Sequence, residues 1–81
     1  MELKSKIFTR RTKDADEYKK KSYDDLRHET LRDVYEFDID ASNIISVIEK
    51  SWEDDVSPVI CDSRTWFKRK NFSLVVYYRD N

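Results

Sequence analysis

Glycine is absent from all 81 residues, and proline, cysteine, histidine and methionine each occur once. Glycine supplies positive φ and close backbone approach to phosphates, so phosphate-cradling loops of the P-loop or dinucleotide kind are excluded. Tight turns must then fall to short polar side chains, with Asn71, Asp40, Asp54 and Asp55 as candidates. The lone Cys61 excludes an intrachain disulfide, and a single His28 beside a single Cys61 excludes a structural zinc site by count. A Cys-His nucleophilic pair would also need an orienting group and oxyanion donors, so the expected reading is a surface His on a helix and an inert, buried Cys. No catalytic residue, cofactor or metal is therefore expected, and the chain reads as a non-enzyme.

Long apolar runs are also missing. The longest, Leu74 to Tyr78, is far too short to cross a bilayer, and Met1 to Lys6 carries nothing that resembles a signal sequence. With so little cysteine, a reducing cytoplasm is the expected location. No internal repeat or low-complexity stretch is present. One domain covering residues 1-81 is expected, with 1-13 as a mobile or edge-strand segment.

What the chain does have is charge, sorted into blocks. Residues 1-32 carry ten Lys/Arg against seven Asp/Glu, residues 33-62 one Lys against nine acids, and residues 63-81 five Lys/Arg against one acid, for a net charge of −1. Single-sign patches act through steering and partner choice, which points to a charged macromolecular partner. Aromatics make up 14% of the chain and charged residues 41%. A thin core leaning on large rings such as Tyr18, Tyr23, Phe37, Trp52, Phe72 and Tyr78 is the expectation.

The periodicity predicts an α+β fold in the rough order β-α-β-α-β-β. It would be a small antiparallel sheet, made of a C-terminal hairpin plus one or two further strands, with two or three helices on one face. Residues 2-10 alternate as a charged edge strand. Asp14 and Ser22 sit where N-caps belong, so residues 14-33 read as one broken helix or two short ones, with Tyr18, Tyr23, Leu26, Thr30, Leu31 and Val34 inward. Tyr35, Phe37 and Ile39 alternate with Glu36, Asp38 and Asp40, which reads as a half-buried strand with a wet acidic face in preference to the alternative, a helix running on through Phe37. Ile44, Ile45, Val47, Ile48 and Trp52 recur at helical spacing over 42-53. Runs 59-67 and 72-79 read as a hairpin turning within Lys68-Asn71, with Phe67, Phe72, Leu74 and Val76 on its core face, packed on Ile44, Val47, Ile48 and Trp52.

Two surfaces follow. The acidic middle segment offers Glu36, Asp38, Asp40, Glu53, Asp54 and Asp55, which would dock on a protein partner with a basic surface, as an inhibitor that mimics nucleic-acid phosphates would. The bland alternative is a solvated strand face and helix end. The hairpin offers Arg64, Trp66, Lys68, Arg69, Lys70, Tyr77 and Arg79, a mixture of rings and cations suited to stacking bases and holding phosphates. Its bland alternative is a second core layer against residues 2-10. Lys19-Lys21 with Arg10 and Arg11 could be a phosphate-contacting arm, or simply a solvated helix face. The favoured function is a small protein-binding inhibitor or accessory factor, in the compositional style of phage or mobile-element proteins; nucleic-acid binding is the alternative. No membrane partner is expected, and exposed rings over a thin core also fit a homodimer.

Overall fold

The computed structural model describes residues 2-56 and 66-80. Its elements are β1 (Glu2–Arg11), α1 (Ala15–Lys20), α2 (Tyr23–Glu36), a 3-10 turn (Ala41–Asn43), β2 (Ile44–Val56) and β3 (Phe67–Asp80). The sheet order is β1-β3-β2, antiparallel throughout. The chain therefore leaves β1, crosses one face of the sheet through α1 and α2, and returns as β2 on the far side of β3. At about 3.3 Å per residue, strands this long make an elongated molecule, and the principal extents are 52 × 23 × 18 Å.

The edge strand expected at 2-10 is β1, and both helix starts are where the caps predict. Asp14 accepts from the Glu17 N–H at 2.8 Å, and Ser22 and Asp25 form a reciprocal capping box. Leu26 and Thr30 are buried on α2, and Val34 packs against the cluster of Leu26, Phe72 and Leu74. Val76 and Phe8 extend this layer. Phe72, Leu74 and Val76 do form the core face of β3. Leu31, expected inward, is 39% exposed.

Several expectations fail, each for a physical reason. Residues 35-40 are not a strand. Tyr35 and Glu36 complete α2, the Phe37 N–H bonds back to Asp33, and Asp38 takes φ 64° to leave the helix. The alternation of acids there marks a helix exit. In a chain without glycine, an aspartate fills the left-handed position.

The helix expected over 42-53 is the strand β2. Ile44, Ile45, Val47 and Ile48 are β-branched, which favours extended backbone, and the period of two in Glu49-Asp55 continues that preference. The predicted packing of β3 on Ile44, Val47, Ile48 and Trp52 therefore gives way to side-by-side pairing with β2. The core face is covered by α2 instead.

The hairpin turn expected within 68-71 lies inside β3, where Asn71 is 1% exposed. Continuity through those residues puts Phe67 on the face opposite Phe72. Asp54, Asp55 and Asn71 are strand residues, and Asp40 caps the 3-10 turn. The hairpin joins β2 to β3. The earlier run 59-67 mostly falls on 57-65, outside the described residues, as do Pro58, Cys61 and Arg64.

The core uses rings only in part. Among the described aromatics Phe8 and Phe72 are buried, alongside Leu26, Leu74 and Val76. Tyr18, Tyr23, Trp52 and Tyr78, also expected there, are half-buried, and Phe37 and Tyr35 lie toward solvent.

Candidate nucleic-acid interface

Strand register decides which side chains share a face. Phe72, Leu74 and Val76 on β3 share the helix side of the sheet with Lys4, Lys6, Phe8 and Arg10 of β1 and Val47, Glu49, Ser51, Glu53 and Asp55 of β2, and Phe72 and Leu74 pack under α2. The helices contact this face through Arg10 to Asp33, Arg27 to Glu49 and the Tyr18 hydroxyl to Glu53 at 2.6 Å. No described helix covers the other face. It carries Leu3, Ser5, Ile7, Thr9 and Arg11 of β1, then Ser46, Ile48, Lys50, Trp52, Asp54 and Val56 of β2, and between them Phe67, Arg69, Asn71, Ser73, Val75, Tyr77 and Arg79 of β3.

The alternation thus sorts charge by face. Among the described residues, the open face has Arg11, Lys50, Arg69 and Arg79 against the single acid Asp54, while Glu49, Glu53 and Asp55 point to the helix side. Lys50 lies over the Trp52 ring with its amine 5.4 Å from the centroid. Arg69 clamps Asp54 with two hydrogen bonds of 3.0 and 2.6 Å. That guanidinium, helped by the Asn71 amide, holds the Asp54 carboxyl at about 2, below its ordinary value. Asn71 sits in the middle of this cluster and donates to Asp54 at 3.0 Å. Its Oδ1 is enclosed and accepts no hydrogen bond. An unpaired acceptor enclosed in a sheet is uncommon. Below the cluster, Ile7, Val75 and Ile48 form an apolar row across all three strands, with Ile7 63% exposed, and Tyr77 follows it. About 20 Å of β3 separates Tyr77 from Asn71, which faces Trp52.

The fold disperses the two surfaces read from the sequence. Glu36 ends α2, Asp38 makes the turn, and the Ser42 N–H holds the capping Asp40 carboxyl below its usual range. Roughly 30 Å of β2 then separates Ile44, just past Asp40, from Glu53. At that far end Glu53 is opposite Lys70, Asp54 opposite Arg69 and Asp55 opposite Lys68, so the acids meet the basic run of β3 directly. Arg10–Asp33, Arg27–Glu49 and Arg69–Asp54 likewise each tie a cation of an outer block to an acid of the middle block. Part of the polarity of the sequence is thus spent within the molecule.

The basic list divides in the same way. Tyr77 and Arg79 are on the open face with Arg69, and Trp66 is 63% exposed just before β3. β1 lies beside β3 and not over it, so residues 2-10 do not cover Tyr77. Lys70 points the other way. Its amine donates to the carbonyls of Tyr18 at 3.0 Å and Lys21 at 2.9 Å, and lies 4.6 Å from the Tyr18 ring centroid. It caps the C-terminal end of α1, which has no buried side chain of its own. Of the lysine and arginine arm, Arg10 is engaged with Asp33 and Lys21 with Glu29, while Lys19 and Lys20 are exposed.

Sequence reasoning misses Lys50, reads Trp52 as a core ring and Asn71 as a turn residue, and groups Arg11 with Lys19-Lys21 rather than with this face. The signal was the period of two at 49-55, which sets Lys50, Trp52 and Asp54 against Glu49, Ser51, Glu53 and Asp55. At the opposite end of the sheet an open cleft of about 350 Å³ is lined by Phe37, Asp38, Ile39, Asp40, Asn43, Tyr78, Arg79 and Asp80. His28 is exposed on α2 with Nδ1 2.8 Å from the Asp24 carbonyl oxygen. Among the described residues no three or more His, Cys, Asp or Glu side chains gather as a metal site requires, and no helix is long and apolar enough to cross a membrane. No family model, curated protein or solved structure matches this chain, which leaves the side-chain geometry as the ground for any functional reading.

Proposed function

We propose that this chain is a non-enzymatic binding module that holds single-stranded nucleic acid on the helix-free face of its sheet. One observation carries the reading: Arg11, Lys50, Arg69 and Arg79 share that face with Trp52 and Tyr77, and Asp54, the only acid among its described residues, is already paired with Arg69. Cations track phosphates while rings accept bases of any sequence, so binding is electrostatic and stacking in character with little base readout. With a net charge of −1, attraction for phosphate comes from this face alone and not from the molecule as a whole, so binding is weak and salt-sensitive.

Fluorescence anisotropy with labelled single-stranded DNA, single-stranded RNA and a duplex tests this. Trp52→Ala should weaken binding by about 1-3 kcal/mol at every salt concentration, as loss of one stacked base would. Arg11→Ala should instead flatten the salt slope by about 0.7. No binding to any of the three at low salt, or binding indifferent to both substitutions, refutes the proposal.

A second reading rests on the cleft rimmed by Asp38, Asp40 and Asp80, where Glu36 is near in sequence. There a basic protein surface would be the ligand, and the module would act as an inhibitor or accessory factor. Association with such a protein that slows on Asp38→Lys with Asp40→Lys, and ignores Arg11→Ala, would favour it.

A further inference from the structure

A three-stranded sheet has two edges, and charge decides what each edge can meet. Antiparallel pairing of an edge with its own copy brings identical segments together, so any charged stretch meets like charge. β1 presents Lys4, Lys6, Arg10 and Arg11 along its length, a composition that blunts edges. The second half of β2 presents Glu49, Glu53, Asp54 and Asp55. Face-to-face stacking of two open faces would bring Arg11, Lys50 and Arg79 of both copies into one interface. One segment escapes all of these penalties: Ile44-Ile45-Ser46-Val47-Ile48, the longest uncharged run in either edge strand.

That run is also unburied by its own chain. Ile45 is 48%, Val47 45% and Ile48 53% exposed, on a strand with no described neighbour on its outer side. Next to it, Val34, Tyr35, Asp38, Ile39, Ala41 and Ile44 line a notch of about 260 Å³. A solvated apolar edge of high β propensity is a template for a further strand. The bulge at Ile45 lies at its very end and leaves regular pairing from Ser46 onward.

We infer that the Ile44–Ile48 edge of β2 pairs antiparallel with the same segment of a second copy of this chain, about a two-fold axis near Val47. A two-fold perpendicular to the sheet joins the halves into one six-stranded sheet in the order β1-β3-β2-β2-β3-β1. All helices then lie on one side and both open faces on the other. The inference stands without the nucleic-acid reading. If both hold, the dimer doubles the length of the basic, ring-bearing platform.

Sedimentation velocity over a dilution series tests it on the full chain without nucleic acid. The wild type should sediment with the mass of two chains and dissociate on dilution. Val47→Lys should give one chain at every concentration while far-UV circular dichroism and thermal midpoint stay native. Ile45→Lys, on the bulge, should do the same and guards against a folding defect in the first variant. A wild type that stays a single chain at all concentrations overturns the proposal. So does a dimer that survives Val47→Lys and Ile45→Lys but is broken by Ile7→Lys, which would put the interface on the open face. Because mass is read without oligonucleotide, failure here is distinct from failure of the binding assay.

Discussion

Replacing Lys70 by methionine isolates the charge that ties α1 to the sheet. The side chain keeps a similar length and apolar stem, so the change removes the ammonium with little change in packing. What is lost is two hydrogen bonds, to the Tyr18 and Lys21 carbonyls at 3.0 and 2.9 Å, and contact with the Tyr18 and Tyr23 rings at 4.6 and 5.9 Å. Hydrogen bonds to a charged donor contribute about 1.5-3 kcal/mol each when shielded, and Lys70 is only half-buried, so the lower end applies. A cation over a ring adds about 0.5-2 kcal/mol. Part of the loss returns as water solvates the freed carbonyls, which leaves an expected destabilisation of about 2-4 kcal/mol. Urea unfolding followed by far-UV circular dichroism should show a lower midpoint with unchanged slope. Amide exchange should show lost protection concentrated in Ala15–Lys20. Lys68→Met is the control, since Lys68 is exposed opposite Asp55 and such pairs contribute about 0-1 kcal/mol. A Lys70→Met stability within about 0.5 kcal/mol of wild type, or protection lost evenly across the molecule, would refute the capping role.

Leu74 is fully buried against Leu26, so Leu74→Ala should destabilise by about 2-5 kcal/mol in chemical unfolding. In so small a core, that is a large share of total stability. Asp54 is held at about 2, below its ordinary 3.8, by Arg69. A depressed carboxylate stabilises the fold above its unfolded value and loses that contribution as pH falls through its folded one. Wild type should therefore lose stability between about pH 4 and pH 2, and Asp54→Asn should show a shallower loss there in a pH series of thermal midpoints. An identical acid limb in both proteins would show that the pair does not shift the carboxyl.

Local signals in the sequence were sufficient for local structure. Asp14 and Ser22 mark helix starts because a cap is a contact across three residues, and the lysine-rich alternation of residues 2-10 marks an edge strand for the same short-range reason. The core face of β3 was legible from Phe72, Leu74 and Val76 at period two. Segments with two compatible periods were not. Ile44, Ile45, Val47, Ile48 and Trp52 fit a helical spacing as well as a strand, and only the opening beside β3 decides for the strand. Lys68-Arg69-Lys70-Asn71 has the composition of a turn, yet Asp54, Glu53 and Thr12 supply partners that keep it extended. Its Lys70 N–H and carbonyl both bond Thr12. The charge blocks show the same division. Their existence is a property of the sequence, but whether a block faces a partner or its own chain depends on pairing between residues far apart. Here β3 runs its basic residues along the acidic end of β2, and the strand pleat turns Arg11, Lys50 and Arg79 outward. Which side chains share a face is set by register across three strands, and register is a tertiary quantity.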